Sequence, residues 1–86
     1  MAASFSYHSA RGASDFLGLR RSRRGQTEIV YDDGVACRMV WRVVSEVPDE
    51  APLREALESA VAEMRVLPAL YAELKRRAIA IEAIAR

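Results

Sequence analysis

The side chains able to do covalent chemistry in this 86-residue chain reduce to one cysteine, Cys37, and one histidine, His8. A cysteine nucleophile needs a base held beside it. His8 lies about thirty positions upstream, in a segment with little apolar surface to order it, so Cys37 is expected as a buried thiol beneath a helix. A single cysteine cannot close a disulfide within the chain, and one cysteine with one histidine falls short of a zinc ligand set. Asp32 and Asp33 would need further oxygen ligands to hold a cation, and Asp32-Asp33-Gly34 is already accounted for as a turn. Glu55, Glu58 and Glu63 suggest acid–base work only until their neighbours are counted. Arg54 with Glu58, and Glu73 with Arg77, stand at the four-residue spacing of ion pairs on a solvated helix face. No glycine-rich phosphate loop and no nucleophile motif is present. The expectation is a non-enzymatic protein with no cofactor, no metal and no small-molecule substrate.

The one segment with a pointed binding chemistry is Arg20-Arg21-Ser22-Arg23-Arg24. Four guanidinium groups in five residues would neutralise phosphates on nucleic acid, a contact independent of base sequence that weakens steeply with salt. Residues 1–25 carry five arginines against Asp15 alone, a net +4, while residues 26–86 carry eight basic and eleven acidic residues, a net −3. A basic arm thus precedes an acidic body. Only Lys75 among the thirteen basic residues is a lysine, which fits the coding bias of a GC-rich bacterial or phage genome and weakens the case that each arginine was selected for its fork of donors. Arm residues rich in Ser, Gly and Arg bury little, so 1–25 is expected to be flexible, apart from an edge strand within Ala3–Tyr7 and a short helical turn at Ser14–Leu17. The composition also matches a transit peptide. No run approaches the roughly 18 apolar residues of a membrane span, and no apolar secretory core follows the first residue, so a cytoplasmic location is expected.

These groups must be positioned by the elements of residues 26–86. Thr27–Tyr31 and Val35–Val44 are rich in β-branched and aromatic residues and flank Asp32-Asp33-Gly34, the pattern of an antiparallel hairpin. A three-residue loop with Gly34 left-handed would set Tyr31 opposite Val35, Ile29 opposite Cys37, Thr27 opposite Met39 and Glu28 opposite Arg38. One face then holds Thr27, Ile29, Tyr31, Val35, Cys37, Met39, Trp41 and Val43. The other holds Val30 and Val40 among charged residues, a sign that it too is not wholly solvated.

Pro48 and Asp49-Glu50-Ala51-Pro52 end the second strand and open a helix. From Leu53 through Leu57, Ala60, Met64, Leu67, Tyr71, Leu74, Ala78, Ile81 and Ala85, apolar residues follow steps of four and three, a heptad pattern. The stripe passes Pro68 in phase, predicting one long helix over 52–86 kinked at that proline. Such a helix, about 50 Å long, outruns a two-stranded ribbon and leaves its C-terminal half wanting a partner. The fold predicted is therefore α+β, an antiparallel hairpin with an added edge strand packed on a long C-terminal helix. The function predicted is that of an accessory or regulatory protein that binds protein, dimerising with itself through Leu67, Leu70, Tyr71, Leu74, Ala78, Ile81 and Ile84. The alternative is nucleic-acid binding through Arg20, Arg21, Arg23 and Arg24.

Overall fold

A computed structural model describes residues 15–46 and 49–84 in full and residues 5–8 by backbone; Pro48, Ser14 and Ala3, on which parts of the sequence reading fall, lie outside the described residues. Thr27–Asp32 and Arg38–Val43 form the expected hairpin, here β3 and β4. Three more strands join them: Phe5–His8 (β1), Phe16–Arg21 (β2) and Ile81–Ala83 (β5). All pairings are antiparallel, and the order across the sheet follows chain order from β1 to β5. Between β4 and β5 the chain makes two helices, Ala51–Val61 (α1) and Val66–Arg76 (α2). The α+β class is as predicted; β1 overlaps the edge strand expected within Ala3–Tyr7 but pairs with β2 and not with the hairpin.

Alternation along the strands gives one face Leu17 and Leu19, Ile29 and Tyr31, Met39, Trp41 and Val43, with Ile81 on β5. The helices cover that face with Leu53, Ala56, Leu57, Ala60, Val66, Leu70 and Leu74. The Trp41 ring and that of Tyr71 on α2 pack in a T-shaped arrangement, with centroids 5.8 Å apart at 89°. Behind the sheet, Val30 and Val40 are buried at 6% and 5% exposure, as their place on the charged face suggested.

The hairpin register is a correction. Tyr31 lies opposite Met39, Ile29 opposite Trp41 and Glu28 opposite Arg42, because the loop is five residues long, 33–37, instead of three. The longer loop is held by Asp33, whose carboxylate accepts N–H bonds from Val35, Ala36 and Cys37 at 2.8 to 3.0 Å, while Asp32 accepts one from Gly34. Gly34 does take the left-handed conformation, at φ 80°. The slip amounts to four residues, an even number, so the split of β3 and β4 residues between the two faces survives it. Cys37 is corrected with it: the thiol is exposed in this loop and not buried under a helix.

The long kinked helix is a second correction, since the chain breaks at 62–65 into two helices of eleven residues each. Pro68 sits in the first turn of α2, where a missing N–H leaves no intrahelical bond unmade. A five-stranded face is roughly 19 Å wide and a helix roughly 10 Å, so two helices cover what one cannot. A helix of about 50 Å would also outrun a molecule whose longest axis is 32 Å.

The arm is the third correction. Phe16–Arg21 is β2, inside the sheet, with Leu17 at 0% and Leu19 at 3% exposure in the core, so neither a boundary at residue 25 nor a helical turn at Phe16 and Leu17 holds for these residues. Leu17 and Leu19, two apart, supply the apolar alternation that orders the segment. Tyr31 donates a 2.6 Å hydrogen bond to Asp15, fastening the start of β2 to the hairpin, and burial together with that bond pushes the phenol above its ordinary range.

α2 ends in a Schellman turn: Ile79 N–H donates to the Leu74 carbonyl and Ala78 N–H to that of Lys75, with Ile79 and Leu74 both buried. Ala78 holds φ 57°, a conformation glycine adopts without a Cβ penalty. Ala78→Gly is expected to stabilise the fold by about 1 kcal/mol, raising Tm by roughly 5 °C in differential scanning calorimetry. An unchanged or lower Tm would mean that the turn carries no strain.

Candidate interaction surface

Four of the seven residues predicted to bind a partner meet at one place, though by a route unlike the helical stripe that singled them out. Tyr71 and Leu74 on α2, Ala78 in the turn and Ile81 on β5 line an apolar cleft of about 380 Å³, together with Lys75, Ile79 and Ala80. Tyr71 is 44% exposed and packs T-shaped against Trp41, so the cleft has an aromatic wall. The other three are elsewhere. Leu70 is fully buried in the chain's own core, Leu67 is half-buried against it, and Ile84 lies past β5 with its N–H bonded to the Val40 carbonyl. Leu74, at 2% exposure, belongs to the core first and to the cleft second. The seven do not lie along one helix: Leu67, Leu70, Tyr71 and Leu74 are on α2, whereas Ala78, Ile81 and Ile84 come after its end.

The cleft opens beside β5, which pairs only with β4 among the described residues and so forms a free edge of the sheet. The strand was missed in the sequence because alanines around Ile79, Ile81 and Ile84 continue the helical stripe. The signal was the alternation of β-branched Ile79 and Ile81 across Ala80.

The basic cluster is divided by the fold. Arg20 and Arg21, adjacent on β2, point to opposite faces: Arg20 bonds Glu28 at 2.7 Å and Arg21 bonds Glu50 at 2.8 Å. Arg23 and Arg24 are exposed at the tip of the β2–β3 turn, whose last residue, Gly25, is left-handed at φ 79°. Two of four guanidinium groups are thus already matched with carboxylates. Along the helices, Arg54 pairs with Glu50 at 3.3 Å. Glu73 takes both Arg76 and Arg77, which hold its carboxyl below the usual range, Arg76 first.

Cys37, in the loop between β3 and β4, and the backbone of His8, on β1, stand at one end of the sheet but apart. His8 pairs with Phe16, Phe16 with Asp32 and Asp32 with Arg38, which sets His8 about 14 Å from the Arg38 position. Asp33, adjacent to Cys37 in the loop, is occupied by backbone N–H groups, those of Val35 and Cys37 foremost, and they hold its carboxyl below the ordinary value. Among the described residues no group of three or more His, Cys, Asp or Glu side chains is placed to hold a metal ion, and no helix is long and apolar enough to cross a membrane. No protein-family model, no curated protein and no solved structure matches the chain.

Proposed function

We propose that this chain is a small non-enzymatic accessory or regulatory protein of the cytoplasm that acts by binding protein at the cleft between α2 and β5. The observation that carries the reading is the cleft itself: an apolar hollow lined by Tyr71, Lys75 and Ile81 and set against a free strand edge. Tyrosine, with tryptophan and arginine, is enriched among the residues that carry most of the energy of a protein interface. Self-association through the same surface is a narrower form of the reading, weakened by the loss of Leu70 and Leu74 to the core.

The test is a comparison of wild type with Tyr71→Glu, a substitution at a half-exposed position that forfeits the ring contact with Trp41, about 1 kcal/mol, together with the burial of the covered part of the ring. Light scattering after size exclusion reads self-association, and affinity capture reads other partners. The expected result is an association present in wild type and lost in Tyr71→Glu at equal helicity. Identical behaviour of the two proteins would remove the cleft from consideration.

Nucleic-acid binding is favoured by one observation, the exposed pair Arg23 and Arg24 at a hairpin tip. It would show as an absorbance at 260 nm that co-elutes with the protein and disappears at high salt.

A further inference from the structure

On the face of the sheet turned away from the helices, Arg20, Glu28, Arg42 and Glu82 stand side by side in register on β2, β3, β4 and β5. Arg20 bonds Glu28 at 2.7 Å and Arg42 meets Glu82 at 3.2 Å. Glu28, with an arginine opposite it on each side, is nearly buried at 9% exposure. Glu82 has an arginine on one side only. Its side chain is 58% exposed, and an alternating row of positive and negative charge stops at it on a negative member.

The backbone stops at the same place. Val44 N–H donates to the Ala80 carbonyl and Ile84 N–H to the Val40 carbonyl, so Ala80, Glu82 and Ile84 turn their polar groups toward β4. By the antiparallel alternation, Ile81 and Ala83 turn theirs outward. On the helix side of this edge lies the apolar cleft of Tyr71, Leu74, Ile79 and Ile81.

We propose that β5 is the docking edge for an extended segment of another protein, which adds as a sixth strand with a lysine or arginine opposite Glu82 and an apolar residue on each side of it. The proposal rests on the cleft as a protein-binding site and adds the chemistry of what binds there. The outward groups of Ile81 and Ala83 supply main-chain hydrogen bonds, as in other additions of a strand to a free sheet edge. The basic residue continues the row of charges on one face. Its apolar neighbours, pointing the other way, fall over Ile81 and into the cleft.

A second copy of the chain is the wrong occupant. Two β5 strands paired about a twofold axis so that both Ile81 and Ala83 bond would bring Glu82 directly against Glu82 of the other copy, a destabilising pair. Slipping by two residues leaves only one residue of the strand in the pairing. The other free edge, β1, reads Phe-Ser-Tyr-His and offers no lysine or arginine to stand opposite Glu82. The charge that selects a basic segment is the charge that refuses the chain's own strand.

The experiment measures fluorescence anisotropy of a labelled synthetic peptide, Ser-Thr-Val-Lys-Val-Thr-Ser, and of its twin with glutamate for lysine, against the full chain. The lysine peptide is expected to bind about tenfold more tightly than the glutamate peptide, and Glu82→Lys to invert that order. Ala83→Pro, which removes an outward N–H and leaves the bonds to β4 in place, is expected to abolish binding of both. Glu82→Lys keeps the test decisive if the proline variant fails to fold. The proposal is overturned if Glu82→Lys leaves the order unchanged, or if the peptide binds a folded Ala83→Pro as well as wild type. A dimer that Ala83→Pro dissolves would overturn it in favour of a second copy. Absence of peptide binding alongside a Tyr71-dependent protein association would overturn the strand and leave the cleft standing.

Discussion

Leu70→Ala is expected to lower the unfolding free energy by about 3 kcal/mol, and by the same amount at every protein concentration. Leu70 has no exposed surface and packs in the cluster that joins α1, α2 and the sheet. The substitution removes three carbons from a site enclosed by two helices and β-strands, where the surroundings close only partly over the gap. An 86-residue domain has a total stability on the order of 4–13 kcal/mol, so the loss is a large share of the whole. Urea denaturation at two protein concentrations, tenfold apart, measures it. A seam residue between copies would behave otherwise: the midpoint would move with concentration, and the dilute protein would be indifferent to the substitution. Tyr71→Ala, at a half-exposed position on the same helix, loses part of a ring's burial and the contact with Trp41, and is expected to cost less than Leu70→Ala.

Removal of residues 1–25 is expected to abolish cooperative folding. The truncation takes away β1 and β2, and with them Leu17 and Leu19, whose burial contributes roughly 3–6 kcal/mol by the usual area scale. It also strips β3 of its partner from Thr27 to Asp32, converting an interior strand into an edge, and removes Asp15 from the Tyr31 hydroxyl. Together these approach or exceed the stability that a domain of this size has. Far-UV circular dichroism through a urea titration reads the result: the truncated chain should lack a sigmoidal transition that the full chain shows. A truncated chain with its own sharp transition would mean that 26–86 is a separable unit and that β2 is an addition to it.

The contrast between these two expectations and the heptad pattern shows what could be read in the residues. Faces were legible because the period of two is insensitive to an even slip; Ile29, Tyr31, Met39 and Trp41 fall together whether the loop has three residues or five. Loop length was not, because it depends on how many N–H groups Asp33 gathers, and no pattern of apolar residues reports that. β2 was hidden by composition, since Gly18 and the run Arg20-Arg21 interrupt a strand that only Leu17 and Leu19 declare. The break at 62–65 was hidden for the opposite reason. Ala62, Glu63, Met64 and Arg65 are all good helix formers, and the chain turns there because a wide sheet has to be covered, a demand made by strands not recognised in advance. Half of the candidate surface was legible by accident of spacing. Tyr71, Leu74, Ala78 and Ile81 obey steps of three and four, yet they converge through a helix end, a left-handed turn and a strand.

The last strand also governs the order in which the sheet is assembled. Pairing from β2 to β4 links neighbours through short turns, whereas Val43 and Ile81 are separated by two helices and must close a long loop to meet. A strand of three residues at the end of so long a loop gains little from its own hydrogen bonds. It is expected to open while β2, β3 and β4 remain paired. Amide protons of Glu82 and Ile84 should therefore exchange with solvent by local detachment, far faster than those of Ile29 or Val30. A chain laid along the outer side of β5 would bind only the closed form, and its occupancy would be written into the exchange rates of an edge it never covers, the one between β4 and β5.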